Sequence, residues 1–432
     1  MSAVGARTLA DWLEFIGRQH PDAIALGLDR VRAVMARMGT AIGCPVITVA
    51  GTNGKGSVCA TLECILRVSG RRVGLYTSPH LLRYNERVRI DGREAADDRL
   101  CASFAAVEQA RAGTPLTYFE FGTLGAFWLF AQERLDALVL EVGLGGRLDA
   151  VNALDADCAV ITSVALDHVA LLGDTREAIG GEKAGIFRAG RPAVVADPDP
   201  PSSVLREAER SGARPLLLGR DFGYRAQAGQ WDYWGPGGKR SALAHPALRG
   251  APQLRNAAAA LAALDALREQ LPVAMQDVRR GLAEVVLPGR FQVLPGRPQV
   301  ILDVAHNPEA ARSLAANLSA GGYAQETIAV FGMLRDKDIA AVVQAVAPRF
   351  TRWHLASLGG PRGASASELA RILQAAGVAA PRREHATPAA AFAAARSEAG
   401  ENDKIVAFGS FLTVAEVMQA LATGSTGPGT HG

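Results

Sequence analysis

Short, near-continuous apolar runs alternate along the chain with segments of helical period. The runs are PVITVAG near residues 45–51, RVGLYTS near 72–78, LDALVLEVG near 135–143 and CAVITSVALDH near 158–168. Strands buried on both faces of a parallel sheet read this way, whereas strands with one wet face alternate. After the first run, Val58, Leu62, Ile65 and Leu66 fall at i, i+4, i+7 and i+8, which predicts an amphipathic helix stopping at Gly70. The first two-thirds of the chain therefore reads as α/β with a mostly parallel sheet.

A second series of strands follows LPGRFQVLPGRP, residues 287–298, whose Pro and Gly content suits a hinge or linker. Its strands are QVILDVAHN, TIAVFGM, RWHLAS and KIVAFGS, which predict a smaller open α/β unit. Asn307 is placed as a helix N-cap with Pro308 at the first helical position. The Ala-rich stretch 256–268 predicts a helix closing the first domain. The expected division is 1–288 and 289–425, with 426–432 a disordered end of the tail ATGSTGPGTHG.

Size agrees with two domains, since 432 residues exceed the roughly 250–300 at which single cores stop growing. A composition 49% apolar and 21% charged is that of an ordinary soluble globular protein. The net charge of +3 argues against a nucleic-acid surface and a polybasic membrane anchor. Cys44, Cys59, Cys64, Cys101 and Cys158 form no C-x-x-C pair and no zinc-like spacing, which suits a reducing compartment. Asp11, Glu14 and Arg18 interrupt the first twenty residues, so no secretory signal is read there, and no apolar run approaches the ~18 residues of a membrane span. A cytoplasmic protein is expected.

The chemistry begins in VITVAGTNGKGSVCATLECILRVSG, residues 46–70. A β-branched run enters a Gly-rich turn with one lysine and one hydroxyl, then leaves as a helix. Backbone N–H groups in such a turn surround phosphate oxygens, and the helix adds a positive dipole end. Lys55 can neutralise phosphate charge and Ser57 can meet magnesium. The Walker spacing fails, because Val49 stands where the first glycine belongs and Gly56 separates Lys55 from Ser57. A tight structural turn is the simpler alternative.

EVGLGGRLDA, residues 141–150, is not a dinucleotide fingerprint, since Leu148 occupies the position of its last glycine. It places Glu141 in an apolar run, where a carboxylate is costly unless paired or metal-bound. His168 follows another strand end and Lys183 lies in GGEKAGIFR. Taken singly, Glu141 reads equally as an arginine partner, His168 as a loop cap and Lys183 as a solvated lysine. Ligands of open α/β sheets bind beyond the carboxyl ends of strands, so Glu141 and His168 together say more. Asp303, His306 and Ser410 hold the same kind of position in the second series, with a helix-capping Asp303 as the alternative.

Taken in order, these segments resemble the folylpolyglutamate synthases of the Mur ligase superfamily. The matching stretches are GTNGKGS (51–57), TSPHL (77–81), NERVRI (85–90), TYFEFGTL (117–124), EVGLGGRLDA (141–150) and SVALDH (163–168). They continue as EKAGIFR (182–188), LPGRFQ (287–292), DVAHNP (303–308), GMLRDKD (332–338) and FGS (408–410). LGLDRV (26–31) and GGRLDA resemble the bifunctional dihydrofolate synthase/folylpolyglutamate synthase type.

The resemblance implies a P-loop-type Mur-ligase ATPase domain and a smaller Rossmann-like domain. It implies ATP on Thr52, Asn53, Gly54, Lys55, Gly56 and Ser57, with Asn256, Arg290 and Asp303 completing the nucleotide site. Two magnesium ions are implied, with ligands among Ser57, Ser78, Glu141, His168 and a Lys183 whose carbon dioxide-derived carbamate donates oxygen. The pteridine would lie against Ile24, Ala25, Leu26, Thr117, Tyr118, Phe119, Glu120, Leu148, Asp149 and Ala150. His306 and Ser410 would hold the incoming glutamate, and Lys55, Lys183 and His306 would serve the chemistry.

The activity implied is ATP-dependent addition of L-glutamate to dihydropteroate, and to the γ-carboxylate of reduced folates, through an acyl phosphate. A monomer with small-molecule partners is expected. Bifunctional members read D-A-T-N where this chain has Asp149-Ala150-Val151-Asn152, which leaves substrate preference open and a monofunctional folylpolyglutamate synthase as an alternative. The rivals are a cell-wall Mur ligase, whose N-terminal nucleotide-sugar domain is not apparent, and a P-loop regulatory ATPase, against which Asp303, His306 and Ser410 argue. A nicotinamide oxidoreductase fails on the broken glycine fingerprint.

Overall fold

The computed structural model describes residues 7–22 and 24–424. Two compact units form: one holds the chain up to Ala247 together with Leu254–Val285, the other Leu248–Gln253 and the chain from Val286 onwards.

The first unit is built on eight strands: β1 (Val46–Ala50), β2 (Val73–Tyr76), β3 (Val88–Ile90), β4 (Arg93–Glu94), β5 (Ala137–Glu141), β6 (Cys158–Ile161), β7 (Pro192–Val195) and β8 (Arg214–Leu217). Their order is β4-β3-β2-β5-β1-β6-β7-β8, parallel except for β3 and β4. The sheet explains the continuous apolar runs. Val46 and Ala50 join the core on one face while Ile47 and Val49 join that on the other, and every residue of β1 and β5 is buried. The run at 158–168 is a strand only to Ile161; the rest is loop, ending at His168, the cap of a short helix.

The helix Lys55–Val68 starts and stops close to where its pattern predicts, but it is not amphipathic in its setting. All residues from Ser57 to Leu66 are buried. The helix Met275–Glu284 covers its outer side, and Gly281 permits the approach, since a Cβ there would lie 2.6 Å from Ile65 Cγ1. The Ala-rich helix spans Pro252–Ala266 and is likewise enclosed. A small antiparallel sheet, β9 (Gly223–Ala226), β10 (Gln230–Gly235) and β11 (Gly238–Ala244), has no counterpart in the sequence reading. It is fastened to that helix through Asp265, which accepts from Tyr233 Oη at 2.7 Å and from Arg240 at 2.6 Å.

The second unit has six strands: β12 (Gln292–Leu294), β13 (Gln299–Asp303), β14 (Thr327–Phe331), β15 (Arg352–Ala356), β16 (Arg382–His385) and β17 (Lys404–Phe408). Their order is β12-β13-β17-β14-β15-β16, with β12 the one antiparallel edge. The stretch 287–298 is therefore not simply a linker, because Gln292–Leu294 pairs with Val300–Leu302. Asn307 caps the helix Pro308–Ala320 by accepting from Ala310 N at 2.9 Å, as expected. The helix Phe411–Gly424 runs into the segment read as tail; the expected disorder at 426–432 lies outside the described residues.

Candidate active site

β1 ends at Ala50 and the chain turns through Gly51–Gly54 into the helix that opens at Lys55. Both end glycines of the turn are required by space. Gly51 has φ 151° and a Cβ there would sit 1.8 Å from Thr162 Oγ1; Gly54 has φ 90° and a Cβ there would sit 2.6 Å from Asn256 Oδ1. The second contact sets Asn256 against the loop. Thr52 N donates to Ser163 O at 2.8 Å and Asn53 N to Ser163 Oγ at 3.2 Å. Thr162 Oγ1 donates to Asn53 O at 2.6 Å. The first half of the loop is thus tied to the segment after β6, and the helix's first turn at Lys55, Gly56 and Ser57 supplies orphan N–H groups of the kind that hold anions. Thr162 and Ser163 were missed in the sequence, where nothing separates them from ordinary strand-end hydroxyls.

Lys55 Nζ donates to the carbonyl oxygens of Gly51 at 3.0 Å and Thr52 at 3.3 Å. Lys183, from the helix Arg176–Ala184, donates to the same Gly51 oxygen at 3.1 Å. Lys183 is buried, and desolvation followed by the Lys55 charge pushes its amine down to about 7. It is not a solvated lysine. Glu141 closes β5 with 5% of its surface exposed, and one oxygen accepts from Ser78 N at 3.2 Å. Ser57 is buried in the first turn, while His168 is half-buried, left-handed (φ 52°) and at the start of the short helix Val169–Leu172.

The donor set is a carboxylate, two hydroxyls and one imidazole. Among the described residues no three or more His, Cys, Asp or Glu side chains gather as a metal cage. The carboxylate and hydroxyl oxygens of that donor set are the hard ligands magnesium takes.

GLGG is a packing device. A Cβ on Gly143 would meet the Phe119 ring at 2.6 Å, and one on Gly146 the Lys183 carbonyl at 2.7 Å. The turn carries Asp149, a buried carboxyl accepting from Leu144 N at 2.8 Å and Val151 N at 3.0 Å; burial pushes it up to about 7 against those donors. The three expected substrate segments meet. Gly27 N donates to Leu148 O at 3.2 Å, and one Arg30 nitrogen reaches both Ala25 O and Glu120 Oε1 at 2.8 Å. Glu120 also closes a capping box with Thr117 at the head of the helix Tyr118–Ala131. Ile24 and Leu148 are 47% and 40% exposed, an apolar rim beside that wall. Beside Tyr118, Arg87 donates to His80 Nδ1 at 2.9 Å. Burial, then the Arg87 charge, pushes His80 down to about 4.

The second unit gathers its own expected residues at the ends of β13 and β17. Asp303 accepts from Phe291 N at 3.0 Å and Ala305 N at 2.8 Å, so its capping role is local to the turn. Enclosure of its carboxyl raises it to about 6, opposed by those donors and the Arg290 charge. His306 Nδ1 lies 2.7 Å from Val304 O. Arg290 Cζ is 4.9 Å and the His306 ring 6.0 Å from the ring centroid of Phe411, which follows the buried Ser410. Phe411, Arg30 and the Arg87–His80 pair were missed in the sequence reading.

Two family models match: the Mur ligase middle domain over residues 49–264 and the Mur ligase glutamate ligase domain over 289–411. The dihydrofolate synthase/folylpolyglutamate synthase of Escherichia coli K12 is 46% identical over 417 residues, covering 96% of each chain. That of Haemophilus influenzae is 42% identical, covering 94% of this chain and 96% of its own. Escherichia coli FolC, solved in complex with DHPP and ADP, superposes with a TM-score of 0.93 at 45% identity, covering 98% of this chain and 99% of that one. The Yersinia pestis bifunctional enzyme, solved with AMPPNP and Mn, gives 0.90 at 45% identity and covers 98% and 100%. The chain belongs to the Mur ligase family, in its dihydrofolate synthase/folylpolyglutamate synthase branch, and is a ligase.

Proposed function

We propose that the chain joins L-glutamate to dihydropteroate, and to the γ-carboxylate of reduced folates, at the expense of ATP. It does so as a cytoplasmic monomer. The observation that carries this reading is Lys55 at the N-terminus of a buried helix, directly behind the Gly51–Gly54 turn. It is a site built for a polyanion, with the acceptor wall of residues 24–26, 117–120 and 148–150 in the same unit.

A carboxylate and an amine do not condense in neutral water, so the acid must first be activated. The acceptor carboxylate attacks the γ-phosphate, giving an acyl phosphate and ADP. The glutamate amine then attacks the acyl carbon, and phosphate leaves. The N–H groups of Gly54 to Ser57 and the Lys55 ammonium hold the phosphates and neutralise charge as it spreads over the γ-phosphoryl oxygens. Asn256, Arg290 and Asp303 complete nucleotide binding, while His306 and Ser410 orient the glutamate.

Ser57, Ser78, Glu141 and His168 would hold divalent metal, which supplies Lewis-acid stabilisation of the phosphoryl oxygens when bound. An amine near 7 is a nucleophile at neutral pH, and carbon dioxide adds to it with loss of a proton to give an anionic carbamate. Lys183 would then face Lys55 as an anion rather than a second cation. Phosphate release by purified protein tests the function, with ATP, magnesium and L-glutamate and either dihydropteroate or tetrahydrofolate. Release requiring each acceptor supports both activities. Release with tetrahydrofolate alone leaves a monofunctional enzyme, and release regardless of acceptor overturns the ligase reading.

A further inference from the structure

Arg87 is a half-buried guanidinium without a carboxylate. Arg83 and Arg89, its neighbours along the chain, pair with Asp97 and Glu63. Arg87 makes no ion pair among the described residues. The adjacent Glu86 is committed to the backbone N–H groups of Leu81, Leu82 and Arg83, at 2.7, 2.6 and 2.7 Å. What holds Arg87 is neutral. Nε donates to His80 Nδ1 at 2.9 Å, and the guanidinium carbon lies 5.3 Å and 5.7 Å from the ring centroids of Tyr84 and Tyr118.

Aromatic faces stabilise such a cation only in part, and they leave its charge uncompensated. The bond to His80 uses the Nε edge, and the end-on fork of Nη1 and Nη2 has no acceptor among the described residues. That fork matches a carboxylate in a bidentate manner. An N–H donor at Nδ1 also requires a lone pair there, which puts the imidazole proton on Nε2 and makes His80 a second donor. The pair is well sited. Tyr118 belongs to the acceptor wall, and the Arg87 carbonyl accepts from Thr77 N at 2.9 Å, one residue before Ser78, whose N–H donates to Glu141.

We propose that Arg87, oriented by His80, receives the carboxylate of the acceptor acid and aims it for phosphorylation. The proposal rests on the acceptor reading above. The acceptor is favoured over glutamate because every residue of the pair's surroundings belongs to the first unit, whereas His306 and Ser410 belong to the second. A guanidinium there also offsets repulsion as an anionic nucleophile approaches an anionic phosphoryl group.

The experiment compares wild type, Arg87→Gln, Arg87→Lys and His80→Gln. Calorimetry measures binding of dihydropteroate and of a 7,8-dihydropterin lacking the benzoate carboxylate; steady-state kinetics gives each KM. Arg87→Gln is expected to weaken dihydropteroate about tenfold or more, the loss of a charge-assisted pair, while the carboxylate-free pterin and the ATP KM are unmoved. Arg87→Lys should recover part of the loss, and His80→Gln should show a smaller defect of the same selectivity. Equal weakening of both pterins, weakening of neither, or an effect confined to the L-glutamate KM would overturn the proposal. Wild-type protein that binds neither pterin would overturn the acceptor reading itself and the proposal with it.

Discussion

Lys55 and Lys183 donate to one oxygen atom, the Gly51 carbonyl, at 3.0 and 3.1 Å. Two ammonium groups sharing one neutral acceptor in a buried site repel each other, and the buried partner yields its proton first. Lys183 is the buried one, and it titrates near 7. Removing it as Lys183→Ala should lower kcat by ~100-fold or more, the scale of losing a positioned charge at a phosphoryl-transfer site. Protein equilibrated with carbon-13 dioxide should show a carbamate resonance that Lys183→Ala lacks. A resonance of equal intensity in both would assign the carbamate to another amine.

The same lysine sets a pH dependence of stability. Its folded value of about 7 lies below the ~10.4 of an unfolded lysine. The unfolded chain therefore binds more protons between those values, and stability rises with pH across that window. In buffer free of carbon dioxide, Lys183→Met should flatten urea-derived stability between pH 7 and about 10. A wild-type curve already flat there would place the lysine in a wetter site.

Gly54 has no room for a side chain. With φ 90° and Asn256 Oδ1 2.6 Å from an added Cβ, Gly54→Ala should cost about 1–3 kcal/mol in backbone strain and displace Asn256. The ATP KM should rise about tenfold with the acceptor KM unchanged. Asn256→Ala in the same chain removes the clash but not the left-handed backbone, so thermal stability should recover only in part. Full recovery would show that the clash alone mattered.

Arg30 and Glu120 stand ninety positions apart in sequence, yet one guanidinium nitrogen joins Glu120 to Ala25 O. The Glu120 side chain is only 4% exposed, so Arg30→Met strands a buried charge at a cost of about 3–5 kcal/mol. Adding Glu120→Gln should recover much of that loss, giving a coupling energy of a kcal/mol or more by urea unfolding. Additive losses would mean that solvent reaches Glu120 once Arg30 is gone.

What the sequence made legible was contiguous. Gly54-Lys55-Gly56-Ser57 announces its loop because strand, turn and helix lie within one short window, and Glu141 stands out because a carboxylate ends an apolar run. Asn307 and Pro308 obey a local capping rule. What failed depended on distant partners. The P-loop helix reads as amphipathic until Met275–Glu284 packs along it, and the edge strand at Gln292–Leu294 looks like linker until Val300–Leu302 supplies its hydrogen bonds. Arg30 and Arg87 carry no local signature, since an arginine's role is set by which anion it meets or lacks. Gly143 and Gly145 imitate the first half of a nucleotide fingerprint, but the run is glycine-rich for packing: Gly143 lies against Phe119 and Gly146 against the Lys183 backbone, where no side chain fits.

Phe411 lies near two side chains proposed for the site of the second unit, with the Arg290 guanidinium 4.9 Å and the His306 ring 6.0 Å from its centroid. A ring can attract the guanidinium through its face while giving the imidazole a flat surface to pack on; a branched aliphatic side chain of similar bulk does only the second. Phe411→Leu therefore separates the electrostatic part of the contact from its volume. A partly exposed cation–π contact contributes about 0.5–1 kcal/mol, so the ATP KM should rise roughly two- to fivefold. The glutamate KM should rise less, because His306 keeps its bond to Val304 O at 2.7 Å. Phe411→Trp retains the cationic contact and should restore the ATP KM even where its extra volume lowers Tm. If Leu and Trp instead shift both KM values alike, Phe411 acts through packing of the Ser410 turn and not through Arg290.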